Sequence, residues 1–293
     1  MMEPVLELQG VSKSFKAKTV LQNVDLTVER GRVVGLLGKN GAGKTTLLKC
    51  ATGLLRVDSG AAIVFGEDAW QLSDSGKARI GYVPQEIDLY QWMRARHMLK
   101  FISAFYPRWN HSLVSTLASR WEIDTNEKII RMSVGQRHKL SMILALGPEP
   151  DLLVLDEPAA SLDPQARRDL LSTIIEIASD GHRSVMLSTH LTSDLERVAS
   201  DIVMLKAGTV SYAGPMDELK DSVKRLKVTS RSRLPLHLDF PGILRHETDR
   251  NEALITVRGV TPDLVRELEA VYEADVEVRD LNLEDIFVEV HHD

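Results

Sequence analysis

Apolar positions recur along the chain at two distinct periods. "VLELQGVSKSF" at 5–15 alternates apolar and polar residues, the mark of a half-buried strand. "TVLQNVDLTVERGRVVGLLG" at 19–38 carries two apolar runs parted by "ERG", a turn signal. The second run leads into a glycine-rich loop, and "KTTLLKCATGLL" beyond it spaces its leucines as a helix does. "ARIGYVPQE" at 78–86 predicts a short strand ending at Pro84-Gln85. From Ile87 to about Leu146 apolar residues recur at three and four, which predicts a helical insert. Its aromatics, Tyr90, Trp92, Phe101, Phe105, Tyr106, Trp109 and Trp121, are candidates for a small core of their own.

"DLLVLDEP" at 151–158 and "SVMLSTH" at 184–190 are continuous apolar runs, as expected of strands covered on both faces. Between them "DPQARRDLLSTIIEIASDG" reads as a helix, with Pro164 in its first turn and Gly181 near its end. "DIVMLKAGTVSYAG" reads as a hairpin turning at Ala207-Gly208. From about Pro215 the texture changes to a charged helix ("MDELKDSVKRL"), strand-like "KRLKVTSR" and "ALITVRG", and helical "TPDLVRELEAVYEA"; "DVEVRDLNLEDIFVEV" closes the chain. Two domains are expected, 1–212 and 213–293, and no tandem repeat is present.

Composition adds limits. A formal charge of −6 and few aromatics argue against a general nucleic-acid binder, which presents a basic face. One cysteine, Cys50, forbids an intrachain disulfide and reads as a packing residue. The acidic start "MMEPVLELQG" lacks the apolar core of a secretory signal, and no stretch reaches the ~18–20 apolar residues that span a bilayer. The expectation is a cytoplasmic protein that reaches membranes through a partner.

The most specific chemistry lies at Gly38-Lys39-Asn40-Gly41-Ala42-Gly43-Lys44-Thr45, which satisfies G-x-x-x-x-G-K-[ST] in full. Glycines let the backbone approach phosphate oxygens, the amides form an anion nest, and the following helix adds its positive end. Lys44 is expected to reach the β- and γ-phosphates, Thr45 to ligate Mg²⁺, and Thr46 to hold the α-phosphate. The pattern says nucleotide without saying which task.

Asp156 closes a buried strand, where a carboxylate can hold Mg²⁺ through water, and Glu157 follows it as a candidate general base. His190 ends another buried strand at the same sheet edge and is assigned to the γ-phosphate and the attacking water. Gln85 follows a strand and can offer its amide oxygen to metal or water. Far from the loop, "RMSVGQRHKLSM" sets Ser133, Gly135 and Gln136 at a helix start; alone, Ser133 reads as a plain N-cap.

As a set these residues resemble the ATP-binding subunits of ABC transporters. The resemblance covers nearly all of 3–212, in family order: Phe15, the phosphate loop, Gln85, Ser133-Val134-Gly135-Gln136, Asp156-Glu157, Ser161-Leu162-Asp163 and His190. It implies an α/β fold: a P-loop NTPase core with an antiparallel β subdomain, a helical insert and a small C-terminal α+β domain. It implies ATP and Mg²⁺, with Phe15 stacking on adenine. It also implies a head-to-tail pair, homomeric or heteromeric, in which Ser133, Gly135 and Gln136 of one copy cap the γ-phosphate on the other. Asp163 would cross that seam. The family motif is L-S-G-G-Q; here Val134 replaces a glycine, so this position must accept a Cβ and not need positive φ.

The resemblance further implies separate transmembrane permease subunits, docked on the insert near Gln85, and hence a place on the cytoplasmic face of the cell membrane. No nucleic-acid partner is expected. "LNLEDIFVEV" is similar to the C-terminal ends of ATPase subunits from ABC-2 exporters, and "AFYPRW" to a bacterial subgroup of them. The alternative is a nucleotide-gated ATPase that signals to a membrane partner without moving a substrate. DNA-repair and translation-factor relatives are disfavoured by the single phosphate loop and the lack of a heptad run.

Overall fold

The computed structural model describes residues 4–160, 162–235 and 238–291. Ser161 therefore lies outside the described residues. The chain divides into two compact units, Met1–Ala213 and Gly214–Asp293.

In the first unit β1 (Pro4–Phe15) and β2 (Lys18–Glu29) pair antiparallel. Leu21, Val24, Leu26 and Val28 turn inward while Gln22, Asp25 and Thr27 face water, so alternation fixes which face is core. A bulge between Leu8 and Val11 slips the register, with Gly10 at φ +59 donating its N–H to Asp25 Oδ1 at 2.8 Å. β3 (Val33–Leu37), α1 (Lys44–Ala51), β4 (Ser59–Val64) and β5 (Glu67–Asp68) follow. The antiparallel sheet has the order β2-β1-β4-β5, and its β4–β5 half carries no pattern singled out in the sequence.

Next come α2 (Asp74–Lys77), β6 (Ile80–Val83), α3 (Ala95–Ser103), α4 (His111–Arg120), α5 (Val134–Leu146), β7 (Leu152–Asp156) and α6 (Pro164–Ala178). β8 (Ser184–Ser188), α7 (Thr192–Val198), β9 (Asp201–Lys206) and β10 (Thr209–Pro215) complete the unit. The second sheet has the order β10-β9-β3-β8-β7-β6, with β9, β3, β8, β7 and β6 parallel. β3, β7 and β8 are buried along their whole length, which explains their unbroken apolar runs. The expected turn between β9 and β10 has Ala207 and Gly208 both at positive φ.

One core joins the two sheets through α1. Leu47 and Leu48 pack with Leu6, Leu8, Val24, Leu36, Val154 and Met186. Burying each of these two leucines is worth about 1.5–3 kcal/mol, which anchors the helix that follows the phosphate loop.

Between β6 and β7 the described elements are α3, α4 and α5, with a short 3₁₀ turn at Ile129–Arg131. Only part of the aromatic set is internal. Trp121 is buried, whereas Trp92 is 71% exposed and Phe105 68%. Tyr90, Phe101 and Phe105 join Trp92 in a line of ring contacts with centroids 5.1–6.2 Å apart.

The second unit contains α8 (Met216–Ser222), β11 (Val223–Ser230), β12 (Ile243–Asp249), β13 (Glu252–Arg258), α9 (Pro262–Tyr272), β14 (Ala274–Asp280) and α10 (Leu283–His291). Its antiparallel sheet has the order β12-β13-β11-β14, and Leu226, Val228, Ile255, Val257 and Leu268 form its core. The charged helix stops at Ser222, short of the expected "VKRL", because Leu226 and Val228 alternate into that core as strand residues. The closing run splits into strand and helix at Asn282, whose Oδ1 accepts the Asp285 N–H at 2.8 Å.

Candidate functional site

The loop from Gly38 to Gly43 links β3 to α1 by conformations that only glycine accepts easily. Gly43 sits at φ +108, and a Cβ there would meet the Val20 carbonyl oxygen at 2.9 Å. A Cβ on Gly38 would stand 2.7 Å from the Leu205 carbonyl oxygen. Gly43 is the N-cap of α1 with no side-chain cap, and no acidic residue occupies the first turn. The first amides of α1 are thus left for an anion. Lys44 is buried, and its Nζ donates to the Gly38 carbonyl at 2.8 Å, which bends the side chain back over the loop.

Two strand ends bring carboxylates and imidazole to this loop. β7 delivers Asp156 and Glu157, and β8 leads to His190. Glu157 adopts φ +49, a left-handed conformation unusual for a side chain of this kind. Its N–H donates to Ser188 Oγ at 2.9 Å and to the Ser188 carbonyl at 3.1 Å. The turn swings the carboxylate toward Lys44 Nζ, 3.5 Å from Oε1, and His190 Nδ1, 2.8 Å from Oε2. Lys44 and Glu157 are both buried, so each charge answers the other away from water.

Asp156 is fully buried. Its Oδ1 accepts the Ser188 hydroxyl at 2.7 Å, and its Oδ2 has no hydrogen-bond partner among the described residues. A buried carboxylate oxygen without a partner calls for a water or a hard cation. The Thr45 hydroxyl and the Gln85 amide are further oxygen donors, both lining the adjacent cleft. This donor set fits Mg²⁺. The Tyr82 hydroxyl on β6 is also buried without a partner; burial, and secondarily the Asp156 charge, raises its pKa.

The cleft is open and measures about 420 Å³. Asn40, Gly41, Gly43, Lys44, Thr45, Thr46, Gln85 and Glu157 line it on the loop side, and Phe15, Lys18 and Val20 on the β1–β2 side. Phe15 is 47% exposed, an aromatic face left to water at the rim. Gly38, Lys39 and Ala42 belong to the same loop without lining the cleft. Sequence reasoning did not single out Lys18 or Val20; their signal was closeness to Phe15 across the β1–β2 turn. It also passed over Ser188, which stands two residues before His190.

Ser133, Gly135, Gln136 and Asp163 do not line this cleft. Ser133 caps α5: its Oγ accepts the Gln136 N–H at 3.1 Å, and Gln136 Oε1 accepts the Ser133 N–H at 2.8 Å. Val134 is the first residue of α5, 49% exposed and outside the positive-φ residues, so its Cβ is tolerated as expected. Asp163 caps α6 through the Gln165 and Ala166 N–H groups, each at 2.9 Å. The Ala166 N–H bond, foremost, holds the Asp163 carboxyl below its usual range.

Comparison with known proteins matches this arrangement. The ABC transporter family profile matches residues 21–160. The daunorubicin resistance ATP-binding protein DrrA3 of Streptomyces coeruleorubidus is 32% identical over 273 residues, covering 92% of this chain and 83% of the relative. The Nod factor export ATP-binding protein I of Cupriavidus metallidurans is 31% identical, over 75% of this chain and 74% of its own. A solved ATP-binding subunit of an ABC transporter superposes with a TM-score of 0.68 at 28% identity, covering 74% of this chain and 92% of its own. A phosphate loop on a parallel sheet with an antiparallel sheet beside it, shared across most of the chain with such relatives, places the chain in the ABC transporter family as one of its ATP-binding ATPases.

Proposed function

We propose that the chain powers an exporter-type ABC transporter, hydrolysing ATP at the seam of a head-to-tail pair of ATPase subunits. The observation that carries this reading is the position of Glu157, buried at the cleft wall between Lys44 and His190. ATP enters with adenine on Phe15 and its phosphates on the loop amides and Lys44. Mg²⁺ held by Thr45, Gln85 and, through water, Asp156 would neutralise charge on the β- and γ-phosphates. A water oxygen bonds to the γ-phosphorus as the bond to the β-phosphate oxygen breaks. Glu157 takes the water's proton, and ADP and phosphate leave. General-base help of this kind contributes about 10²–10⁴ in rate. His190 orients the water and meets the γ-phosphate.

Ser133, Gly135, Gln136 and Asp163 lie away from the chain's own cleft, which supports their use by a second copy. The signature amides at the start of α5 then donate to the partner's γ-phosphate. Export is supported by the name of the Nod factor export relative, with the drug-resistance name of the other in keeping. The exposed Trp92–Tyr90–Phe101–Phe105 line, on the insert that follows Gln85, suits a docking face for transmembrane permease subunits. Among the described residues no helix is long and apolar enough to cross a membrane. Copurification with membrane subunits, followed by transport in vesicles with and without ATP, tests the reading. Hydrolysis without movement of any substrate would favour a signalling ATPase.

A further inference from the structure

We infer that Ser188 is a positioning residue of the ATPase site, its one hydroxyl setting both carboxylates, Asp156 for the metal and Glu157 for the water. The inference rests on the function proposed above and adds a residue outside the motifs that led to it.

Ser188 is fully buried at the end of β8, in register with Asp156 on β7. A hydroxyl has one proton to give and lone pairs to receive. Here the proton goes to Asp156 Oδ1 at 2.7 Å, and a lone pair takes the Glu157 N–H at 2.9 Å. The first bond pins one oxygen of Asp156, which fixes the carboxylate plane and leaves Oδ2 as the acceptor without a partner. The second steadies the backbone where Glu157 turns to φ +49. No other described side chain bonds Asp156. The neighbouring hydroxyl, Thr189 Oγ1, accepts the Leu191 N–H at 3.0 Å and makes no bond to Asp156. Removing the Ser188 hydroxyl therefore takes away the one side-chain hydrogen bond that the described residues give Asp156. Groups that orient a metal-binding carboxylate in this way typically govern about 10–100-fold in metal affinity or activity.

The test uses Mn²⁺ in place of Mg²⁺, read by electron paramagnetic resonance, with ATP bound to the chain. Ser188→Ala removes the hydroxyl, Ser188→Cys keeps the volume with a weak donor, and Ser188→Thr keeps the hydroxyl. We expect Mn²⁺ affinity to fall about 10–100-fold in Ser188→Ala, less in Ser188→Cys, and to be restored in Ser188→Thr. ATP affinity in EDTA should not change. Ser188→Ala binding Mn²⁺ as tightly as the unaltered chain would overturn the inference. So would an equal loss with and without metal, which would mean a collapsed loop. If Ser188→Ala does not fold, Ser188→Cys is held to the same criteria. Failure of the underlying function looks different: the unaltered chain itself would bind no Mn²⁺–ATP.

Discussion

Glu157 Oε2 lies 2.8 Å from His190 Nδ1, so the imidazole is oriented by the carboxylate it is meant to assist. The other oxygen, Oε1, is 3.5 Å from Lys44 Nζ. The proposed base thus lies against both the cation and the ring that are proposed to meet the γ-phosphate. Glu157→Gln keeps the shape and removes the proton acceptor. We expect phosphate release to fall about 10²–10⁴-fold. ATP should still bind, because Lys44 keeps its bond to Gly38 and loses a competing carboxylate. Fluorescent-nucleotide titration beside phosphate release checks this; turnover close to that of the unaltered chain would remove Glu157 from the role.

Lys44→Ala takes a charge-assisted contact from the phosphates. Bonds of that class are worth about 1.5–3 kcal/mol, which corresponds to an affinity loss of roughly 10–150-fold. Calorimetric titration with ATP measures it. Equal affinity in the variant would contradict the loop's assignment.

Phe15 offers an exposed ring at the cleft rim and contributes little to the core. Phe15→Ala should weaken ATP by about 1–3 kcal/mol, the worth of base–aromatic stacking, and leave the melting temperature unchanged. Phe15→Tyr should restore binding. Inorganic triphosphate, which has no base to stack, should bind both forms alike.

Ser133 serves two ends in this reading, as cap of α5 and as phosphate donor to a second copy. Ser133→Ala should cost about 1 kcal/mol of stability through the lost cap. Its effect on hydrolysis should appear in trans. In mixed pairs, an altered chain should silence the nucleotide held by its unaltered partner. If each altered chain disables only its own bound nucleotide, the head-to-tail arrangement is wrong.

Cys50 is buried in α1, and that burial pushes its thiol from 9.0 up to about 11. The folded chain therefore keeps the proton longer than the unfolded one does. This contribution to stability is complete below pH 9.0 and fades as pH rises toward about 11. Iodoacetamide at pH 8 should leave Cys50 unlabelled until the chain unfolds. Rapid labelling of the native chain would show that α1 opens locally.

The particular residues show how far the sequence reached. Gly38 to Thr46 announced their task because a phosphate loop is local: its chemistry lies in consecutive amides, and a helix must follow. The runs at β7 and β8 were legible because strands buried on both faces carry no polar alternation. β4 and β5 went unread because "SGAAIV" and "ED" are short and have no period strong enough to place them. The exposure of Trp92 and Phe105 was equally hidden, since helical spacing says which residues share a face and not what covers it.

The chain alone determined the phosphate loop, the apolar runs of β7 and β8 and the candidate groups, because each depends on neighbours in sequence. Only the tertiary structure decided which of them meet. It set Glu157 between Lys44 and His190, turned Asp156 onto Ser188 and left Ser133 outside the cleft. Those contacts bridge separations of up to 113 residues (Lys44 to Glu157, 157 − 44) and depend on parallel register between strands, which no local pattern records.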